Sequence, residues 1–303
     1  MPTPKTVRTK ILEIAYEESG PPDGPCIILL HGFPDDVRAW DGVVPPLAKA
    51  GCRVLVPYLR GYGPTRFLDA ATPRSGEQAA IGEDVRDFLD ALGIGRAALA
   101  GYDWGGRAAC IAAALWPERV RALVTIGGYH IQDIAAAVNP ALAMSEYRFW
   151  YQWYLLTERG RAGLEQNRRE LCRLMWRLWS PNWAFDEATF DRTAASFDNP
   201  GFVAVSLHSY RHRNGAAPGY PAYEATEAAL ARQPSIDVPT IILHGAADGV
   251  TPPENSEDHA RFFSDLRRRT VIPVAGHFLP EEAPNAVVEA LRELGATDEP
   301  PRV

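Results

Sequence analysis

Six short apolar runs recur along the chain with helix-like segments between them, and this alternation restricts the fold more than any other feature. The runs are CIILL (26–30), RVLVP (53–57), AALAG (97–101), ALVTI (122–126), TIILH (240–244) and TVIPV (270–274). A strand covered on both faces has no polar side to show, so continuous apolar runs of this length point to a mostly parallel sheet flanked by helices. The covering helices are expected in GEDVRDFLDALG (82–93), RAACIAAALWPERV (107–120) and APNAVVEALRELG (283–295), where apolar residues recur at helical spacing. VRTKILEIAYEE (7–18) alternates instead, which suits a leading antiparallel hairpin or one long strand.

The alternation stops between about Ile134 and Pro234, a stretch that holds five of the eight tryptophans. A helical insertion with its own aromatic packing, placed as a lid, is expected there. RFWYQWYLL (148–156) and NRRELCRLMWRLW (167–179) read as lid helices, and Arg168, Arg169, Arg173 and Arg177 as a solvated helix face. PGYPAYEATEAALARQPSIDVP (218–239) returns the chain to the sheet, and ATDEPPRV at the end reads as a frayed tail. The expected division is therefore a core of residues 1–133 and 235–303 and a helical cap of residues 134–234.

A chain of 303 residues, 46% hydrophobic and 23% charged, can bury a large core, so disorder is not the default. The formal net charge of −7 gives no field for capturing nucleic acid. Cys26, Cys52, Cys110 and Cys172 are too scattered for a CxxC metal site or a disulfide framework and read as core residues in a reducing compartment. MPTPKTVRTKILEI has prolines and polar alternation where a secretory signal would carry a basic end and an apolar block. With no run of membrane-spanning length, a cytoplasmic protein is expected, handling a small molecule and water rather than nucleic acid or membrane, as a monomer or homodimer.

GYDWGG (101–106) joins an apolar run to a helix-like run, the context of a tight strand-to-helix turn that exposes the residue at its tip, here Asp103. Gly101 and Gly105 relieve crowding on either side. On this feature alone Asp103 is either a nucleophile or a helix cap, since aspartate also favours helix starts. HGFPDD (31–36) follows CIILL, Asp248 follows the run 240–244 in HGAADGVTPP, and His277 follows the run 270–274 in AGHFLPEEAP. An acid, a second acid and a histidine thus emerge in that chain order at the carboxyl ends of three expected strands.

These motifs resemble the α/β-hydrolase superfamily over essentially the whole length, and within it the branch with an aspartate nucleophile: soluble epoxide hydrolases first, haloalkane and haloacetate dehalogenases next. The resemblance implies an α/β-hydrolase fold with a mostly parallel eight-stranded sheet and a helical cap. It implies Asp103 as nucleophile, Asp248 and His277 as the pair that activates water, and the backbone amides of Phe33 and Trp104 as the oxyanion hole. A serine must lose a proton before it attacks, whereas a carboxylate is already anionic near neutral pH and can displace a group from saturated carbon. An epoxide oxygen leaves as an alkoxide and needs acidic donors; YQWY (151–154) and SYRHR (209–213) resemble the two lid tyrosine sites of epoxide hydrolases, which implies Tyr151 and Tyr210. Tyr147 and Tyr154 stand near enough to compete with Tyr151. His31, Pro34, Gln152 and Trp153 are expected to line the pocket.

Where the family often has Asp and Ser this chain has Tyr58 and Thr65, and Tyr102 replaces a frequent His, which bears on substrate shape. The activity implied is conversion of an apolar epoxide to a vicinal diol with no cofactor and no metal. Two alternatives stay open: a dehalogenase using the same residues, and a ligand-binding homologue that has lost turnover.

Overall fold

The computed structural model describes residues 4–297. The final residues of the expected frayed tail, 298–303, and the first three of the chain lie outside that range. The strands are β1 Lys5–Arg8, β2 Leu12–Ser19, β3 Cys26–Leu30, β4 Arg53–Pro57, β5 Arg66–Phe67, β6 Ala97–Tyr102, β7 Val120–Ile126, β8 Thr240–Gly245 and β9 Leu266–Ile272. They form one sheet in the order β1-β2-β4-β3-β6-β7-β8-β9, with β5 pairing to β2 off that path. The main path therefore has the eight strands expected, and the two-residue β5 makes a ninth. β1, β2 and β4 are antiparallel neighbours, as the alternating leader requires, and from β4 to β9 every pairing is parallel.

The central strands are buried on both faces, which explains their unbroken apolar runs: all six residues of β6 and all six of β8 are buried. At the sheet's edge the expectation needs correction. TVIPV is not the strand; β9 ends at Ile272 and begins at Leu266, so it includes three arginines. An edge strand is only half covered, and charged side chains are tolerated there.

The helices that cover this sheet include α1 Val44–Lys49, α2 Gln78–Ala91 and α3 Asp103–Leu115. α2 starts one turn earlier than its apolar spacing suggests, and α3 stops before Pro117, which cannot continue a helix. Between β7 and β8 lie α4 Ala143–Arg148, α5 Trp150–Leu156, α6 Glu158–Gln166, α7 Arg168–Trp179, α8 Glu187–Ala194, α9 Phe202–Arg213 and α10 Glu224–Leu230; after β9 come α11 Leu279–Glu282 and α12 Pro284–Glu293. The segment RFWYQWYLL is split at Phe149, the C-cap of α4 and N-cap of α5.

α7 carries the aromatic packing of this insertion. Trp176 packs on Trp183, Phe185 and Phe190, and reaches across to Phe278 of the core at 5.1 Å. Its opposite face holds the arginines, which are partly paired rather than free: Arg169 with Asp191, and Arg173 and Arg177 with Glu187 of α8. All four cysteines are free thiols, and Cys52, Cys110 and Cys172 are buried. Among the described residues no helix is long and apolar enough to cross a membrane.

Candidate active site

The turn from β6 into α3 holds Asp103 at φ 48°, in the left-handed region that side chains with a Cβ avoid. Its two glycines are sterically required. A Cβ on Gly101 would stand 2.4 Å from the Gly105 carbonyl oxygen, and one on Gly105 would stand 2.1 Å from the Leu30 carbonyl oxygen. The strain is held by packing of α3 against β3 and lifts the carboxylate out of the backbone. Asp103 is not the helix cap, because that position belongs to Tyr102 and the Asp103 carboxylate turns elsewhere. Its Oδ1 accepts the Phe33 amide at 2.7 Å. The amide of Trp104, in the first turn of α3, has no acceptor within a helix.

Its other oxygen, Oδ2, lies 4.0 Å from Nε2 of His277. That nitrogen is buried and has no hydrogen-bond partner among the described residues, so it is left to whatever enters between the two side chains. Nδ1 of His277 meets Asp248 Oδ2 at 2.9 Å. Asp248 also accepts the Val250 and Thr251 amides at 2.9 and 2.8 Å and the Thr251 hydroxyl at 3.1 Å. Burial alone would raise the Asp248 pKa, but His277 and these donors outweigh it and hold the carboxyl below its ordinary range. Burial likewise disfavours a charged His277, yet Asp248 and then Asp103 outweigh it, so the imidazole sits above its ordinary 6.5.

The loops that carry Asp248 and His277 both hang on the end of α7. The Trp179 carbonyl accepts the amides of Gly249 and His277 at 2.9 and 3.2 Å. Ser180 accepts the Phe278 amide at 3.1 Å and donates to Glu282 Oε1 at 2.6 Å, while Glu282 Oε2 accepts the Gly276 amide at 2.9 Å.

A cavity of about 330 Å³ opens over Asp103 and His277, and Tyr151, Gln152 and Trp153 line it. Tyr151 is buried on α5, and Trp153, 40% exposed, stands at the rim. Gln152 donates to the Tyr151 hydroxyl at 3.3 Å and accepts from Asn214 at 3.3 Å, so it orients the phenol. Tyr210 is buried edge-on to Tyr151, ring centroids 5.4 Å apart, and to Phe33 at 5.3 Å, but it does not line that cavity. Burial pushes Tyr151 up to about 12 and Tyr210 higher, so both remain O–H donors at neutral pH. Tyr147 is 70% exposed, and Tyr154 faces a separate surface cavity with Asn167 and Arg177; neither competes with Tyr151.

His31 and Pro34 do not line the pocket. Both His31 nitrogens are engaged by backbone, Nδ1 with the Gly32 carbonyl at 3.1 Å and Nε2 with the Leu59 amide at 3.0 Å, which makes it a loop anchor. Pro34, after a cis peptide bond, offers its carbonyl to the Trp176 indole at 2.8 Å and so ties the loop to α7. The family departures also serve local structure: Thr65 bridges the Tyr58 carbonyl and the Ala15 amide, and the Tyr102 hydroxyl donates to buried Asp35.

Motif reading missed Arg107 and Arg213, which line the same cavity. Their spacings were signals: Arg107 is four residues after Asp103 on α3, and Arg213 three after Tyr210 on α9, so each shares a helix face with a candidate residue. Among the described residues one group with ligand-type atoms converges elsewhere. Glu77, His212 and Glu227 lie within 4.8 Å of one another, but the Ser75 hydroxyl and the Tyr220, Ala79 and Gln78 donors already occupy the carboxylates.

Residues 25–284 match the family model described as alpha/beta hydrolase fold. Epoxide hydrolase A of Mycobacterium tuberculosis (strain ATCC 25618 / H37Rv) is 29% identical, with 97% of each chain aligned. A candidate epoxide hydrolase from Klebsiella pneumoniae subsp. pneumoniae MGH 78578 superposes with TM-score 0.93 at 43% identity over 96% of each chain. Epoxide Hydrolase A from Mycobacterium thermoresistibile superposes with TM-score 0.76 at 26% identity over 97% of this chain and 98% of that one. The elbow at Asp103, the parallel sheet that delivers it and the extent of the family match lead to one conclusion: the chain belongs to the alpha/beta hydrolase fold family.

Proposed function

We propose that the protein is an epoxide hydrolase that opens an epoxide through an ester on Asp103 and needs no cofactor or metal. The observation that carries this is the division of the Asp103 carboxylate, with one oxygen held by the Phe33 amide and the other facing the free Nε2 of His277. Oδ2 attacks an epoxide carbon, the C–O bond of the ring breaks, and the departing alkoxide takes a proton from Tyr151, whose ring is braced edge-on by Tyr210. His277, oriented by Asp248, then removes a proton from water, whose oxygen adds to the Asp103 carbonyl carbon. The Phe33 and Trp104 amides stabilise the oxyanion. Collapse breaks the bond between the Asp103 carbonyl carbon and the alkyl oxygen; that original carboxylate oxygen takes the remaining proton of the added water and leaves as the second hydroxyl of the diol, and the imidazolium proton restores the phenol through solvent.

Residues 134–234 act in this reading as the cap over a core of 1–133 and 235–303. The enzyme works in the cytoplasm, as a monomer or homodimer. A dehalogenase would use the same nucleophile and base, but a halide leaves without a proton and has no use for the buried phenol of Tyr151. A single turnover in heavy-oxygen water tests the route. Label is expected in the Asp103 carboxylate; label found only in the diol means that water attacked the epoxide directly.

A further inference from the structure

We infer that the epoxide taken by this site carries a carboxylate, and that Arg107 and Arg213 hold it; the inference rests on the epoxide hydrolase reading above. Arg107 lines the Asp103 cavity and is only 5% exposed. Its Nε reaches the His130 carbonyl at 3.4 Å, and among the described residues its two terminal nitrogens have neither a hydrogen-bond partner nor an ion pair. Arg213 enters the same cavity from α9, its guanidinium carbon 5.5 Å from the centroid of the Tyr210 ring, and it too has no hydrogen bond or ion pair among the described residues.

A buried guanidinium without an anion is expensive, and a second cation in the same space adds repulsion. Burial and then Arg213 lower the Arg107 pKa to about 10, which leaves Arg107 cationic at neutral pH. Asp103 favours the Arg107 charge without a direct ion pair, and among the described residues no carboxylate is in ion-pair contact with either guanidinium. Asp133 and Glu146 also line the cavity, but they accept the Ala136 and Ala141 amides at 3.1 and 2.7 Å. His130 is held neutral by burial, its pKa about 3, with Nε2 on the Ile126 carbonyl at 2.7 Å.

The ester chemistry gives these cations no task. A positive charge near Asp103 stabilises the carboxylate and so weakens it as a nucleophile, and the leaving oxygen already has Tyr151. An anion supplied by the substrate would satisfy both guanidinium groups and remove their repulsion, and the planar guanidinium fork matches a carboxylate. The cavity of about 330 Å³ confines ring and carboxylate to one small molecule. The substrate class is thus a short epoxy acid, with the diol acid as product.

The test compares kcat/KM of the wild type for phenylglycidate and the uncharged phenylglycidamide, then for Arg107→Met, Arg213→Met and the two lysine variants. The wild type is expected to prefer the acid by about tenfold or more, the preference to collapse in either methionine variant through KM, and lysine to restore part of it. Equal kcat/KM for acid and amide in the wild type, or a preference that survives in both methionine variants, overturns the inference. Should the variants fail to fold, inhibition of the wild type decides: phenylacetate is expected to compete better than phenylacetamide, and equal inhibition overturns the site. If no epoxide gives diol and chloroacetate releases chloride, the reaction reading falls, and phenylacetate inhibition of that release then judges the arginine pair by itself.

Discussion

His277 owes its raised pKa to three carboxylates, Asp248, Asp103 and Glu282, and one of them is consumed by the proposed reaction. Burial opposes the imidazolium, while Asp248 and then Asp103 favour it. Because a general base must be neutral, the free enzyme loses that form as pH falls through a value above 6.5. Alkylation turns Asp103 into an uncharged ester and removes one of these attractions, so the His277 pKa falls at the step that needs its base form. Single-turnover ester hydrolysis is therefore expected to show an apparent pKa below that of His277 measured by NMR in the free enzyme; equal values would mean that Asp103 and His277 are not coupled. His277→Gln is expected to slow ester hydrolysis by about a hundredfold to ten-thousandfold while alkylation persists, read as protein mass increased by that of the substrate. The apolar runs before Asp103 and Asp248 are buried strands and place both acids at strand ends, whereas the run before His277 straddles the end of the half-covered edge strand β9. His31 misled the reading: its place in HGFP suggested a pocket residue, and only the contact with the Leu59 amide, 28 positions away, identifies it as an anchor.

At the scale of elements, the site is assembled where α7 ends against the loops after β8 and β9. Trp179 offers one carbonyl to both loops, and Ser180 fixes the second through Phe278 and Glu282. Ser180→Ala removes a donor and an acceptor at once, leaving the Phe278 amide and one Glu282 oxygen without their partner. The expected destabilisation is about 1–3 kcal/mol, read from denaturant midpoints. Ser180 acts as a positioning residue through His277, so its loss should also lower kcat with little change in KM and displace the His277 NMR titration; unchanged titration would reduce it to a packing role. Nothing local in SPNW marks Ser180 for this task, since its partners come from nearly a hundred residues downstream. Helices α5 and α7 were legible from their apolar spacing, but the bonds that dock α7 on the core were not, because period and propensity carry no information about long-range hydrogen bonds. The edge strand β9 was misread for a related reason, as its arginines obey the half-covered edge rather than the apolar rule of the central strands.

Across the whole molecule, the formal charge of −7 counts every carboxylate as ionised, and the fold does not allow that. Burial raises Asp35, Asp36 and Glu281, with Asp36 at about 7; Asp36 adds to the cost of ionising Asp35, and both add to that of Glu281. Glu281 is the clearest member, since its Oε2 is buried without a hydrogen-bond partner among the described residues. Its folded pKa lies well above the ordinary 4.5, with burial the largest cause. The unfolded chain therefore releases this proton first as pH rises, so the fold's advantage is complete below the unfolded pKa and is lost as pH climbs toward the folded one. Glu281→Gln keeps the shape and has no proton to lose. It is expected to stabilise the protein at about pH 8 by on the order of 1 kcal/mol or more and to make little difference at about pH 4, flattening the dependence of Tm on pH between them. If the variant and the wild type keep the same slope, Glu281 is ionised in the fold and the buried acids do not set the pH dependence of stability.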